Sequence, residues 1–440
     1  MNVIENVLRP GDSEFDAERS GFQTAHPHRP ALIVGATGVE DVRAAVTYAA
    51  ERELPIAVQL SGHGQGAPLT DGVLISTRRM NGVAIDPVAR TARIEAGVRW
   101  QQVVDAAAEH GLAPISGSSP EVGAVGYTLG GGLGVLGREF GWAADHVRSI
   151  DLVTADGKLR HVTAESDPEL FGVLCGAGGG LGVVTAMEIG LVPVSRVYGG
   201  GLYVDAEHVP ALLAAYREWT ADLPEELTSS VGLIPFPDLP MVPDLLRGRY
   251  VAHVRIAYNG PTSQGERLVA PLRSTVPLLR DTLGELPFTA SHSIYNDPTQ
   301  PHPYAGTNAL LRELDPTLPT TVLDLVGPDA PVPCVVQIRH LGGALARPSA
   351  QGNSAEPSAV GHRDAAYLLH VLSVVDDTDA VPQACRRLMD AAAPWTVGRT
   401  PNFLYGAPFL AEREAAFPLD VQRRRAALLA DLDPKGLFQK

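Results

Sequence analysis

Glycine is concentrated in three places within the first 182 residues, and this placement limits the chain more than any other feature. The clusters are Ser61-Gly-His-Gly-Gln-Gly66, Gly117-Ser-Ser-Pro-Glu-Val-Gly-Ala-Val-Gly-Tyr-Thr-Leu-Gly-Gly-Gly-Leu-Gly134 and Gly176-Ala-Gly-Gly-Gly-Leu-Gly182. Backbone without Cβ atoms can approach a large flat or polyanionic ligand to contact distance. One such loop is an ordinary turn, whereas three in one region ask for a shared cause. A dinucleotide whose pyrophosphate, sugar chain and ring each take backbone donors supplies it. Gly62-His-Gly64-Gln-Gly66-Ala67 also satisfies the G-x-G-x-x-G/A spacing after a strand. That fingerprint needs a helix to open at its third small residue, so that the helix N-terminus meets the pyrophosphate. Pro68 and the β-branched run Val73–Ile75 follow instead, which excludes a Rossmann fold.

The elements around these clusters read as α+β. A short apolar strand precedes a helix over Asp41–Glu53, and Ile56–Leu60 is a strand that runs into the first cluster. Val83–Ile85 with Thr91–Ala96, and Ile150–Thr154 with Leu159–Thr163, are expected hairpins, the second turning at Asp156-Gly157. Trp100, Val103, Val104, Ala107 and Ala108 mark a helix, and Asp167-Pro168 opens another with an N-cap acid and a proline at the first helical position. The pattern lacks the regular βαβ alternation of a doubly wound sheet. After residue 197 glycine clusters vanish, and a helix at Val209–Thr220 alternates with strands at Tyr250–Ala257, Cys334–His340 and Ala366–Val375. The stretch 347–362 reads as a mobile loop, and Val421–Leu432 as a last helix.

Composition narrows the function classes. Fifty Asp+Glu against 35 Lys+Arg give a formal charge of −15, with no basic stripe for nucleic acid to hold. The uncharged, glycine-rich stretch 122–137 falls short of the roughly 18 apolar residues of a membrane span, and the N-terminus has no basic-then-apolar leader pattern. A cytoplasmic protein is the expectation. Three cysteines without a CxxC pair suggest reduced thiols, and the thirteen histidines show no metal-ligand spacing.

Taken in order, the His63 loop, the hairpin through Asp86 and Gly97, the Gly117–Gly134 stretch, Phe140-Gly-Trp-Ala-Ala-Asp145 and Gly178-Gly-Gly-Leu-Gly-Val-Val-Thr185 resemble one family. It is the FAD-binding domain of the vanillyl-alcohol oxidase/p-cresol methylhydroxylase (PCMH-type) superfamily, in its berberine-bridge-enzyme-like branch. The resemblance covers about residues 27–195 and resumes at Asn402-Phe403 and 424–438. It implies a PCMH-type FAD-binding domain over 1–196, a substrate-binding domain with an antiparallel sheet flanked by helices over 197–395, and a C-terminal segment, 396–440, returning to the first domain.

The resemblance also implies roles. His63 matches the histidine bonded to the flavin 8α-methyl group. Ser61, Gly62, Gly64 and Gln65 would line the pyrophosphate; Ser118, Ser119, Val122, Gly123, Gly126 and Tyr127 would follow the ribityl chain and ring. Gly182 and Val184 would offer backbone groups, and Asn402 would close the pocket. Members with two covalent links carry a cysteine where this chain has Ser119, so one link, through His63, is expected. Gln59-Leu60 replaces a more usual Arg-Ser pair and Leu181 replaces an asparagine. Ala124 stands at a position linked to oxygen access, where a small side chain favours an oxidase. The implied reaction is hydride transfer from an alcohol or amine carbon of a small-molecule substrate, with O2 reduced to H2O2; a flavin-dependent dehydrogenase with another electron acceptor and a non-redox cyclase that uses FAD structurally are the alternatives. Tyr405 is the first candidate for a group over the flavin and Tyr127 the second. Arg339 and Gln337 share one strand face by period 2, with His340 on the other.

Overall fold

The computed structural model describes residues 6–348, 358–375 and 378–438, so most of the 347–362 loop lies outside the described residues. Its elements form three sheets. The first is small and mostly parallel: Leu32–Gly35 and Ile56–Gln59 flank Val73–Ser76, and Val7–Leu8 adds antiparallel to Leu32–Gly35. Two of its strands are buried along their whole length, which is why Leu-Ile-Val-Gly and Val-Leu-Ile-Ser are continuously small or apolar rather than alternating. Between the outer parallel strands runs the helix Val39–Arg52, whose Val42, Ala45, Val46 and Ala49 recur at one face and are buried. The strand–helix–strand order read from the sequence is thus one βαβ crossover, without a regular alternating series.

The second sheet is antiparallel, in the order Val83–Asp86, Thr91–Glu95, Val183–Gly190, Val147–Val153, Leu159–Thr163. Both expected hairpins are present. Asp167 caps the helix Pro168–Ala177 by accepting from the Leu170 N–H at 3.1 Å. The glycine-rich stretch hides a short helix, Ala124–Leu129, that propensity alone disfavours. Its Ala124 and Val125 are buried in the apolar core shared with Trp100 and Val173.

The third sheet has nine strands, and its pairings are antiparallel throughout. One face is apolar: Val254, Val231, Ile338, Leu369 and Ala309 join a core with residues of the helices Val209–Trp219, Leu318–Val326 and Ala380–Ala392. The opposite face is polar although it is equally buried. Register places His253 beside Gly232, Gly232 beside Gln337, Gln337 beside His370 and His370 beside Asn308, a row across five strands. The neighbouring row holds Arg255, Ser230 and Arg339. The C-terminal segment returns to the first two sheets. Arg425 on the helix Leu419–Leu432 donates to the carbonyls of Ala177 and Gly179, and the Ile56 N–H donates to Leu437 at 2.7 Å.

Candidate active site

The strand Ile56–Gln59 delivers the first glycine loop. Gly62 has φ +68, and a Cβ there would lie 2.7 Å from the Gly21 Cα, so only glycine fits beneath the N-terminal segment. That segment is tied on by Phe22 N–H to the Ser61 carbonyl (2.8 Å), and the Phe22 ring stacks on His63 with centroids 3.9 Å apart. The Tyr304 hydroxyl donates to the His63 carbonyl at 2.6 Å, fixing the backbone from the other side. The His63 Nδ1 lies 2.9 Å from Ser61 Oγ, whereas its buried Nε2 has no hydrogen-bond partner. Burial, reinforced by the charges of Arg99 and His302, pushes the His63 pKa down to about 4, so the ring is neutral at pH 7.

Gln65 donates to the His26 carbonyl and Gln59 to the carbonyls of Arg19 and Ser20. Both amides thus brace the N-terminal segment. Arg413, which sequence reading missed, donates to the Gly64 carbonyl at 2.9 Å, and its guanidinium is the nearest group to the Gly66 Cα face. It brings positive charge to the loop where Gln59 removed it. Nothing stands within 4 Å of a Cβ built on Gly64, Gly126 or Gly179, so each glycine cluster keeps a side-chain-free face open to a ligand.

In the second cluster Ser118 Oγ donates to Asp297 Oδ2 at 2.5 Å, and Gly123 precedes the helix Ala124–Leu129, with Leu60 over its Cα. Ser119 follows Ser118 in a half-buried bend, and the half-buried Val122 packs on the second-sheet core. The Tyr127 ring is wedged between Gly117 and Gly132, where built Cβ atoms would come within 2.9 and 2.4 Å of it. It meets Trp100 edge-on, and its buried hydroxyl has no partner. Asn402 donates to the Tyr127 carbonyl at 2.9 Å and lies so close to Gly130 that a Cβ there would be 1.8 Å from its Oδ1. In the third cluster Gly182 adopts φ +153 against the Val153 carbonyl, and Val184 pairs with Leu152 in the second sheet. Ala124 is buried in the apolar core of the second sheet.

These loops face the polar side of the third sheet. Ser118 reaches Asp297, and Arg339 acts electrostatically on the Tyr127 hydroxyl. Gln337 Oε1 accepts from Arg339 Nε and Nη2 at 3.2 and 2.7 Å. The Arg339 guanidinium lies 5.0 Å from the ring centres of both Tyr295 and Phe403. Tyr405 sits among Tyr304, His370 and Phe403, and burial raises its phenol pKa as it does that of Tyr127. Both are therefore neutral hydroxyls rather than phenolates. His370, also missed from sequence, is fully enclosed, and neither ring nitrogen has a partner. No group of three or more His, Cys, Asp or Glu able to hold a metal occurs among the described residues.

Burial together with Arg339 pushes His370 down to about 3, and burial with Arg138 does the same to His340. With His63, three imidazoles stay neutral in the fold but take up protons near pH 6.5 once unfolded. The unfolded chain then binds more protons, so stability falls as pH drops from 6.5 towards 4. We expect about 2 kcal/mol lost per histidine by about pH 4.5. Urea midpoints from pH 7.5 to 4.5 will read this, and His370→Gln should flatten the slope. A midpoint constant across that window would contradict it.

The unpartnered Nε2 and Tyr127 hydroxyl, the open glycine faces and the neutral imidazole fit an FAD. Residues 30–163 match the FAD binding domain family. The chain is 36% identical over 214 residues to (R)-6-hydroxynicotine oxidase of Paenarthrobacter nicotinovorans, a match covering 48% of this chain and 47% of that one. It thus spans about half the length of this curated relative. The structure of 6-hydroxy-D-nicotine oxidase from Arthrobacter nicotinovorans superposes with a TM-score of 0.83 at 25% identity, covering 99% of this chain and 97% of the other. A berberine-bridge-enzyme-like protein of Physcomitrella patens shares the fold, with a TM-score of 0.83 at 19% identity over 98% and 95% of the two chains. No helix among the described residues is long and apolar enough to cross a membrane. Residues 30–163 thus carry an FAD binding domain, and over nearly its whole length the chain is similar in fold to 6-hydroxy-D-nicotine oxidase, with berberine-bridge-enzyme-like chains among its structural neighbours.

Proposed function

We propose that this protein is an FAD-dependent oxidase that holds its cofactor covalently through His63 and oxidises a small-molecule alcohol or amine. The observation that carries the reading is the convergence of three open glycine faces and two unpartnered buried polar atoms, His63 Nε2 and Tyr127 Oη, opposite a buried polar sheet face. FAD, when bound, supplies a two-electron acceptor for a hydride from a carbon bearing OH or NH, and O2 takes those electrons to give H2O2. His63 offers a neutral nitrogen for the tether, and Ser119 offers no thiol for a second. The backbone of Ser61, Gly62, Gly64 and Gln65, with Arg413 alongside, holds the pyrophosphate. Ser118, Ser119, Val122, Gly123, Gly126, Gly182 and Val184 line the chain and ring, and Asn402 closes the site through Tyr127. The neutral Tyr405 hydroxyl holds the substrate heteroatom, Tyr127 completes the wall, and Gln337 fixes the Arg339 fork. This reading assigns the proton that leaves with oxidation to Asp297, whose charge acts on Tyr405.

Absorption spectra of purified protein before and after acid precipitation test the cofactor and its tether together. Oxidised-flavin maxima that remain in the pellet are expected. A colourless, folded preparation that takes up no FAD would overturn the reading. Peroxide formed during aerobic turnover would support an oxidase; a flavin that stays reduced in air would assign a dehydrogenase with another acceptor.

A further inference from the structure

Two guanidiniums on the polar sheet face have no counter-charge that matches them. Arg255 and Arg339 stand on either side of Ser230 in register, are 3% and 8% exposed, and lie 4.8 and 5.0 Å from the centre of the same Tyr295 ring. Arginine keeps its proton even where burial lowers its pKa, as it does at Arg255. The hydrogen bonds of this pair go to neutral acceptors. Arg255 Nε donates to His253 Nδ1 at 3.2 Å, Arg339 donates to Gln337, and the buried Arg255 Nη1 has no partner. Neither arginine forms an ion pair among the described residues. Asp297, half-buried and already engaged by Ser118, acts electrostatically on Arg255. His253 and His370 are held neutral by burial, and Tyr405 is a neutral phenol.

Two enclosed positive charges with one carboxylate near Arg255 leave an excess that is costly in a low-dielectric interior unless an anion arrives to meet it. The planar guanidinium fork matches a carboxylate. The Tyr295 and Phe403 rings beside Arg339 offer flat apolar walls to the rest of such a molecule. We propose that the substrate carries a carboxylate, received by Arg255 and Arg339, on a planar or aromatic body whose oxidisable carbon is presented at Tyr405. This inference rests on the function proposed above and narrows its substrate class to organic acids.

The test uses the flavin-loaded protein and three probes of one shape: benzoate, benzamide and benzylammonium. Binding is followed by perturbation of the flavin absorbance and, independently of colour, by thermal shift. Benzoate should bind at least about tenfold more tightly than either other probe, and Arg255→Gln should weaken benzoate by at least about tenfold while leaving benzamide unchanged. Arg255→Lys, which keeps the charge but loses the fork, should fall between, and it keeps the test alive if the glutamine variant does not fold. Equal binding of benzoate and benzamide would overturn the proposal. So would a folded, coloured Arg255→Gln protein with wild-type benzoate affinity. An altered flavin spectrum in that variant without altered benzoate binding would assign the guanidiniums to the ring itself and likewise overturn it. A colourless wild type would instead remove the functional reading beneath it.

Discussion

Replacing His63 by alanine should move all of the yellow colour from the acid-precipitated pellet to the supernatant. The proposed tether needs one free imidazole nitrogen, and His63 has one. Its Nδ1 rests on Ser61 Oγ, its Nε2 is unpartnered, and burial keeps the ring unprotonated. A protonated ring could not offer a nitrogen lone pair, so the depressed pKa suits the proposed bond. Because Ser119 cannot form a thioether, no second tether should remain in the variant. The backbone donors of the three loops stay in place, so native His63→Ala protein should still take up FAD reversibly. The loss of the ring that stacks on Phe22 should cost about 1 kcal/mol of stability. Colour that stays with the precipitated variant would assign the bond to another residue.

Asp145→Ala should destabilise the fold by about 3–5 kcal/mol. Its carboxylate accepts from Arg363 Nη2 at 2.6 Å and Nη1 at 3.0 Å, from Ser358 Oγ at 2.7 Å and from the Trp142 N–H at 3.3 Å. The Arg363 and Asp145 side chains are only 12% and 4% exposed. The pair joins the Phe140–Asp145 turn to the segment that leads into the strand Tyr367–Val374. Alanine leaves Arg363 charged, enclosed and unpaired, which costs far more than a lost surface ion pair. Urea unfolding of wild type, Asp145→Ala and Asp145→Ala/Arg363→Ala should show the double variant less damaged than the single effects summed. A single-variant loss below about 1 kcal/mol would show that water reaches the guanidinium.

What could be read from sequence was local. The two hairpins, the Asp167 cap and the shared face of Gln337 and Arg339 each follow from residues a few positions apart. Tyr250–Tyr258 carries the same alternation as the Arg339 strand, so His253 and Arg255 were legible there as a polar face. Which strands sit beside them was not, because register depends on partners far apart in the chain. Phe22, Tyr304 and Arg413 reach the His63 loop from three distant segments, and nothing in their own surroundings marks them. The helix Ala124–Leu129 escaped notice for a different reason: its glycine content argues against helix, and burial against Trp100 overrides that preference.

The hydrogen bond from Ile56 to Leu437, with Asp433 accepting from the N–H groups of Leu437 and Phe438, has a consequence for synthesis. The strand Ile56–Gln59 lies at the rim of its sheet and is covered by residues translated almost 400 positions later. While the ribosome is still at work, this rim is bare and able to pair with another nascent chain. Closure of this rim thus waits for the segment 433–438, however early the strand itself has formed.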